Sequence, residues 1–156
     1  MMIRLSCDVL KALAGKTLAT AESCTGGGIG AALTAVPGSS RVYKGGVISY
    51  TNGVKENLLG VDREVLAIHG AVSAPVAQAM AEGARKSLCA DVGVSVTGLA
   101  GPDGDDRGNP VGTVFIGYAD TKKSLAEEYH FTGNRDEIRS QAVNSALKMI
   151  LDQANL

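Results

Sequence analysis

Ser23, Cys24 and Thr25 stand side by side in Ala21-Glu22-Ser23-Cys24-Thr25-Gly26-Gly27-Gly28, and each carries a side chain able to act as a nucleophile. Leu18-Ala19-Thr20-Ala21 reads as a short buried strand leading into the run, and Ile29, Leu33 and Val36 follow it at helical spacing. The segment therefore reads as a strand-to-helix junction. A helix start offers unpaired N–H groups, and glycines let a ligand come close, so such a turn can hold a phosphate or a developing oxyanion. A helix cap with close backbone packing explains the same residues equally well. The common signatures are not met. The glycine run contains no Gly-Lys-[Ser/Thr], Ala21 stands where a nucleophile elbow needs glycine, and Gly26-x-Gly28-x-Gly30 lacks the dinucleotide spacing.

Three other stretches carry candidate chemistry. In Ser49-Tyr50-Thr51-Asn52-Gly53-Val54-Lys55, a tyrosine at a strand end precedes a lysine by about one helical turn. A lysine works as a base only where burial or a neighbouring cation lowers its pKa, and a solvated surface lysine is the ordinary alternative. The loop Thr97-Gly98-Leu99-Ala100-Gly101-Pro102 is built of small residues that can wrap a phosphate or a ring. Its acids, Asp103, Asp105 and Asp106, do not make a calcium loop. Counted from Asp103, Arg107 falls at the fifth position and Val114 at the twelfth, where a carboxylate is needed. Arg135 and Arg139 share a helix face and can reach a phosphate or pair with surface acids. His69 and His130, the only two histidines, give no support to a Ser–His–Asp triad.

The elements that must position these residues alternate along the chain. Helical spacing covers 3–14, 29–36 and 76–88, with shorter helices starting at Asn52 and at Asp62 and a long amphipathic one over 135–151. Strands are expected at 18–21, 47–50, 92–97, 111–119 and 124–131, the last two as a hairpin. This order predicts an α/β fold over residues 1–156, a single layered domain whose mixed sheet of about five strands is flanked by helices. An alanine face (Ala77, Ala79, Ala81, Ala84) can pack on the sheet or pair with a twin as a homodimer.

Composition narrows the function classes. The 156 residues carry 15 basic and 16 acidic side chains, a net charge of −1, which offers no footprint for nucleic acid or an anionic membrane. No Trp, two Phe and four Tyr leave little for stacking on single strands. Three cysteines without paired spacing suggest reduced thiols and a cytoplasmic location. The start has no signal-peptide pattern, and no apolar run reaches the roughly 20 residues of a membrane span. The 20 glycines cluster at 26–30, 45–46, 98–108 and 112, where backbone must turn or approach something closely.

Taken in order, these stretches resemble the C-terminal domain of the competence/damage-inducible CinA family over nearly the whole chain. The resemblance rests on Ala21 to Gly27, Ser49 to Asn52 with Lys55, and Leu58-Leu59-Gly60-Val61. It continues through His69-Gly70-Ala71-Val72-Ser73, Thr97 to Pro102, Pro110-Val111-Gly112-Thr113-Val114 and Arg135 to Ser140. It implies a nicotinamide-nucleotide amidase of pyridine nucleotide salvage and NAD metabolism. That enzyme hydrolyses nicotinamide mononucleotide to nicotinate mononucleotide and ammonia, without metal or cofactor. By the same resemblance Ser23 is the nucleophile, with Tyr50 and Lys55 as its activating and proton-transfer partners. Glu22, Thr25, Gly26, Gly27, Thr97, Gly98, Ala100, Gly101 and Arg139 fall at substrate-binding positions. Gly28 and Asn109 depart from the family pattern, which often has a larger apolar residue and a lysine there. The alternative function is a non-catalytic nucleotide-binding or regulatory module of the same fold, since a scaffold does not fix an activity.

Overall fold

Val92, Val94 and Val96 alternate with Gly93, Ser95 and Thr97 to form the central strand of a five-stranded sheet. The computed structural model describes residues 2–155. Its strands are β1 (Leu18–Glu22), β2 (Tyr43–Ile48), β3 (Val92–Gly98), β4 (Thr113–Ala119) and β5 (Ser124–His130), in the order β2-β1-β3-β4-β5. The first three in that order run parallel, and β4 and β5 form the expected antiparallel hairpin. The helices are α1 (Met2–Ala12), α2 (Gly28–Thr34), α3 (Asn52–Leu59), α4 (Arg63–His69), α5 (Ala74–Ser87) and α6 (Arg135–Ala154).

The mixed α/β sheet anticipated from the sequence is therefore present, with a core on each face. One core joins Val92, Val94, Val96, Val114 and Ile116 to Ile29 and Leu33 of α2 and to Ile138, Ala142, Leu147 and Ile150 of α6. The other joins Ala19 and Ala21 to Leu59, Leu66, Val76, Met80 and Ala84 from α3, α4 and α5. Burial on both faces explains why β1 and β4 are buried at every position rather than alternating.

The alanine face of α5 is used inside the molecule. Ala77, Ala81 and Ala84 are fully buried. A Cβ on Gly93 would strike the Ala81 carbonyl oxygen, and one on Gly117 the Ala77 carbonyl oxygen, so the helix lies directly on the backbone of β3 and β4. Ser95 Oγ donates to the Ala77 carbonyl at 2.5 Å. Ala77, Ala81 and Ala84 thus pack on the sheet, the intramolecular alternative for this face.

Several boundaries differ from expectation. Strand β2 spans Tyr43–Ile48 rather than 47–50 and contains Gly45 and Gly46, and of the two roles expected for clustered glycine, a turn or a close approach, Gly46 takes the second. The Tyr43 hydroxyl bonds Thr20 Oγ1 at 2.7 Å, and a Cβ on Gly46 would collide with both groups. Glycine there makes room for a side chain folded across the sheet. Strand β4 begins at Thr113, not 111, because Gly112 turns the chain with a φ of 93°. Helix α3 takes Thr51, not Asn52, at its N-cap position, whereas Asp62 caps α4 as expected by accepting from the Glu64 amide. Helix α6 starts with a full capping box between Asn134 and Glu137. No helix among the described residues is long and apolar enough to cross a membrane.

The topology places the site. From β1 the chain crosses over α2 to reach β2 on one side, then over α3, α4 and α5 to reach β3 on the other. Connections that diverge from neighbouring parallel strands leave a crevice at their carboxyl ends, where α/β sheets bind ligands. Here those ends are Glu22, Ile48 and Gly98.

Candidate active site

Ser23 follows the last residue of β1, and its amide still donates to the Val96 carbonyl of β3 at 3.0 Å. The nucleophile candidate is thus held by the sheet ladder while its side chain leaves the sheet. The next turn folds tightly, with Gly26 donating to the Ser23 carbonyl and Gly28 to that of Thr25. Gly26 and Gly27 take φ of 59° and 103°, a left-handed pair that residues with a Cβ adopt only under strain. Val143 of α6 packs against Gly28, and a Cβ there would come within 2.9 Å of it.

The start of α2 is occupied from within, as the helix-cap alternative describes. Glu22 is buried, and its carboxylate accepts from Thr25 Oγ1 at 2.6 Å, from the Ile29 amide at 2.8 Å and from the Gly30 amide at 3.1 Å. An internal carboxylate takes the place of an external anion at the positive end of the helix.

Lys55 is the largest departure from the plain reading of the sequence. It lies in α3, which could have left it solvated, yet it is only 1% exposed. Its Nζ donates to Ser23 Oγ at 3.1 Å and to the Ser49 carbonyl at 2.6 Å. Ser49 is itself tied to β1, its amide donating to the Glu22 carbonyl at 2.7 Å. Burial lowers the Lys55 pKa to about 8, so a neutral amine is accessible near physiological pH. The neighbouring Cys24 thiol moves the other way, pushed up to about 11 by burial. It stays protonated and is a poor nucleophile.

Ser23 and Lys55 sit at the floor of an open cavity of about 240 Å³. Its wall also includes Cys24, Tyr50, Asn52, Thr97 and the loop Gly98 to Gly101, with Asp103 and Arg135. Thr97 is buried, and its hydroxyl donates to the Ala71 carbonyl at 2.8 Å. Of the residues singled out in the sequence, Ser23, Cys24, Tyr50, Lys55, Thr97, Gly98, Ala100, Gly101 and Arg135 are brought together here. Glu22, Thr25, Gly26, Gly27 and Arg139 are not on the wall; they build the turn behind it. Asn52, Ala71 and Val72, noted in the sequence only as parts of longer matching stretches, and Asp103, noted only as a loop acid, also line the cavity.

Tyr50 and Lys55 do not form a bonded pair. Tyr50 is 60% exposed on the rim, where its hydroxyl accepts from Arg135 Nη2 at 3.3 Å. Arg139 turns inward instead, donating from Nε to the Cys24 carbonyl at 3.0 Å and from Nη2 to the Thr25 carbonyl at 3.1 Å. The amides of Cys24 and Thr25 have no backbone partner among the described residues. In a planar trans peptide the Thr25 N–H points opposite to the Cys24 carbonyl, so Arg139 also fixes the direction of that amide.

This arrangement sits on a backbone and a sequence already known in outline. The model of the CinA C-terminal domain matches residues 4–154. The chain belongs to the CinA C-terminal domain family. A CinA-like protein from Gemmatimonas aurantiaca is 53% identical over 131 residues, covering 84% of this chain and 31% of its own length. One from Synechococcus sp. is 52% identical over 137 residues, covering 86% and 33%. The chain thus spans about a third of the length of the curated relatives it matches. A crystal structure of a CinA superfamily protein from Klebsiella pneumoniae superposes with a TM-score of 0.96 at 34% identity, covering 99% of this chain and 98% of that one. The competence/damage inducible protein CihA from Agrobacterium tumefaciens gives 0.94 at 39% identity, covering 99% and 96%.

Proposed function

We propose that this domain is a serine amidohydrolase that converts nicotinamide mononucleotide and water to nicotinate mononucleotide and ammonia. The observation that carries the reading is the buried Lys55 amine 3.1 Å from Ser23 Oγ at the floor of an open cavity. A serine needs a base, and a lysine with its pKa lowered by burial supplies one without histidine. The bond from Nζ to the Ser49 carbonyl anchors the amine and leaves its lone pair for the serine proton once it is neutral.

In the reaction, Ser23 Oγ attacks the carboxamide carbon as its proton passes to Lys55. The carbonyl oxygen becomes an oxyanion that the Cys24 and Thr25 amides can stabilise. Collapse breaks the C–N bond, and the Lys55 ammonium returns the proton to the departing ammonia. Water then attacks the acyl ester, giving a proton to Lys55 and a hydroxyl to the carbonyl carbon. Ser23 leaves with the proton restored to its oxygen, and nicotinate mononucleotide is released.

Ammonia release from nicotinamide mononucleotide, measured in the presence of a chelator, is the direct test. Turnover by the wild type that disappears in Ser23→Ala supports the assignment. Tight calorimetric binding of the mononucleotide without ammonia release would instead identify a nucleotide-binding module of the same fold.

A further inference from the structure

The two arginines of α6, one turn apart, point at different targets, and only one faces the cavity. Arg139 is spent on the carbonyls of Cys24 and Thr25. Arg135 is exposed on the rim. It bridges the cavity mouth, donating from Nη1 to the Gly101 carbonyl and from Nη2 to the Tyr50 hydroxyl. Both partners are neutral, and Arg135 forms no ion pair among the described residues. Lys55, the other cation on the wall, is buried at the floor beside the nucleophile. The cavity therefore has a reactive end and, at its mouth, a single uncompensated guanidinium. Asp103 also lines the wall and opposes an anion approaching from its side.

We infer that Arg135 is the residue that selects a substrate bearing a phosphate monoester, with Tyr50 and the Gly101 carbonyl holding its guanidinium across the mouth until the anion displaces them. The inference rests on the amidase reading for the identity of the amide but not for the anion site. A guanidinium offers a planar fork of donors that fits phosphate oxygens, and its neutral partners are easily exchanged for a charged one. Arg139 cannot serve in this way without releasing the turn that carries Ser23.

The test compares nicotinamide mononucleotide with its phosphate-free riboside. In turnover, Arg135→Ala is expected to lower the preference in kcat/KM for the mononucleotide over the riboside at least about tenfold, through KM. Arg135→Lys should recover part of that preference. Arg139→Ala should lower kcat on both substrates alike. Equal losses on both substrates in Arg135→Ala, or an unchanged preference, would overturn the inference. Calorimetry in a Ser23→Ala background separates this result from failure of the amidase reading. Binding of the mononucleotide at least tenfold weaker after adding Arg135→Ala supports the anion site even without turnover. Unchanged binding, or no mononucleotide binding before that change, rejects it.

Discussion

Lys55 Nζ reaches Ser23 Oγ at 3.1 Å across 32 residues of sequence, and both side chains are buried. The contact joins the end of β1 to the first turns of α3, and the Ser49 carbonyl holds the amine in place from between them. An ammonium without an acidic partner is costly to bury, so the fold favours the neutral amine that a general base requires. The structural cost and the proposed chemistry share one cause.

The pH dependence follows from that lowered pKa. Below about 8 Lys55 is protonated and cannot accept the serine proton, so kcat/KM should fall as pH drops through that value. The limb should vanish in Lys55→Met, with a rate loss of about 10²–10⁴-fold, the usual range for a general base. Stability should move in the same direction. Between about 8 and the ordinary lysine value the unfolded chain binds more protons, so stability should rise with pH there. Urea titrations of wild type and Lys55→Met across that window check the sign, because the variant should lack the rise.

The choice between Ser23 and Cys24 can be read from alkylation and from paired variants. Burial keeps the Cys24 thiol protonated, with its pKa near 11, so iodoacetamide should inactivate the protein slowly at neutral pH. Ser23→Ala should abolish ammonia release, whereas Cys24→Ala should lose far less. The reverse order would move the nucleophile by one residue.

Tyr50 tests the division between rim and floor. Its hydroxyl bonds Arg135 and lies on the exposed rim. Tyr50→Phe should therefore act mainly on KM for the mononucleotide and leave the limb near pH 8 in place. A loss confined to kcat, with the limb displaced, would assign the tyrosine to proton transfer instead.

Glu22 should matter for stability rather than for substrate contact. Its carboxylate is the acceptor for Thr25 Oγ1 and the Ile29 and Gly30 amides. Glu22→Ala strands these three donors and should cost at least about 3 kcal/mol in equilibrium unfolding, given about 1–3 kcal/mol for each unsatisfied group. Glu22→Gln retains one acceptor oxygen and should cost less.

The sequence by itself determined the order of elements, the strand-to-helix junction at Ser23, the β4–β5 hairpin and the α/β class. These rest on local periodicity and turn chemistry, which act over a few residues and are written in the chain. Tertiary structure decided what those signals leave open. Lys55 has the sequence context of a solvated helix lysine, and only the packing of α3 beside the end of β1 buries it. Glu22 lies at the end of a strand pattern, yet it fills the helix start that glycine spacing alone would assign to a ligand. Arg135 and Arg139 are equivalent by helical spacing. One bonds the Gly101 carbonyl at the cavity rim and the other the Cys24 and Thr25 carbonyls, because the two positions of α6 lie beside different loops. Each of these outcomes depends on which distant backbone group is near enough to bond or to exclude water, and that distance exists only after the chain has folded.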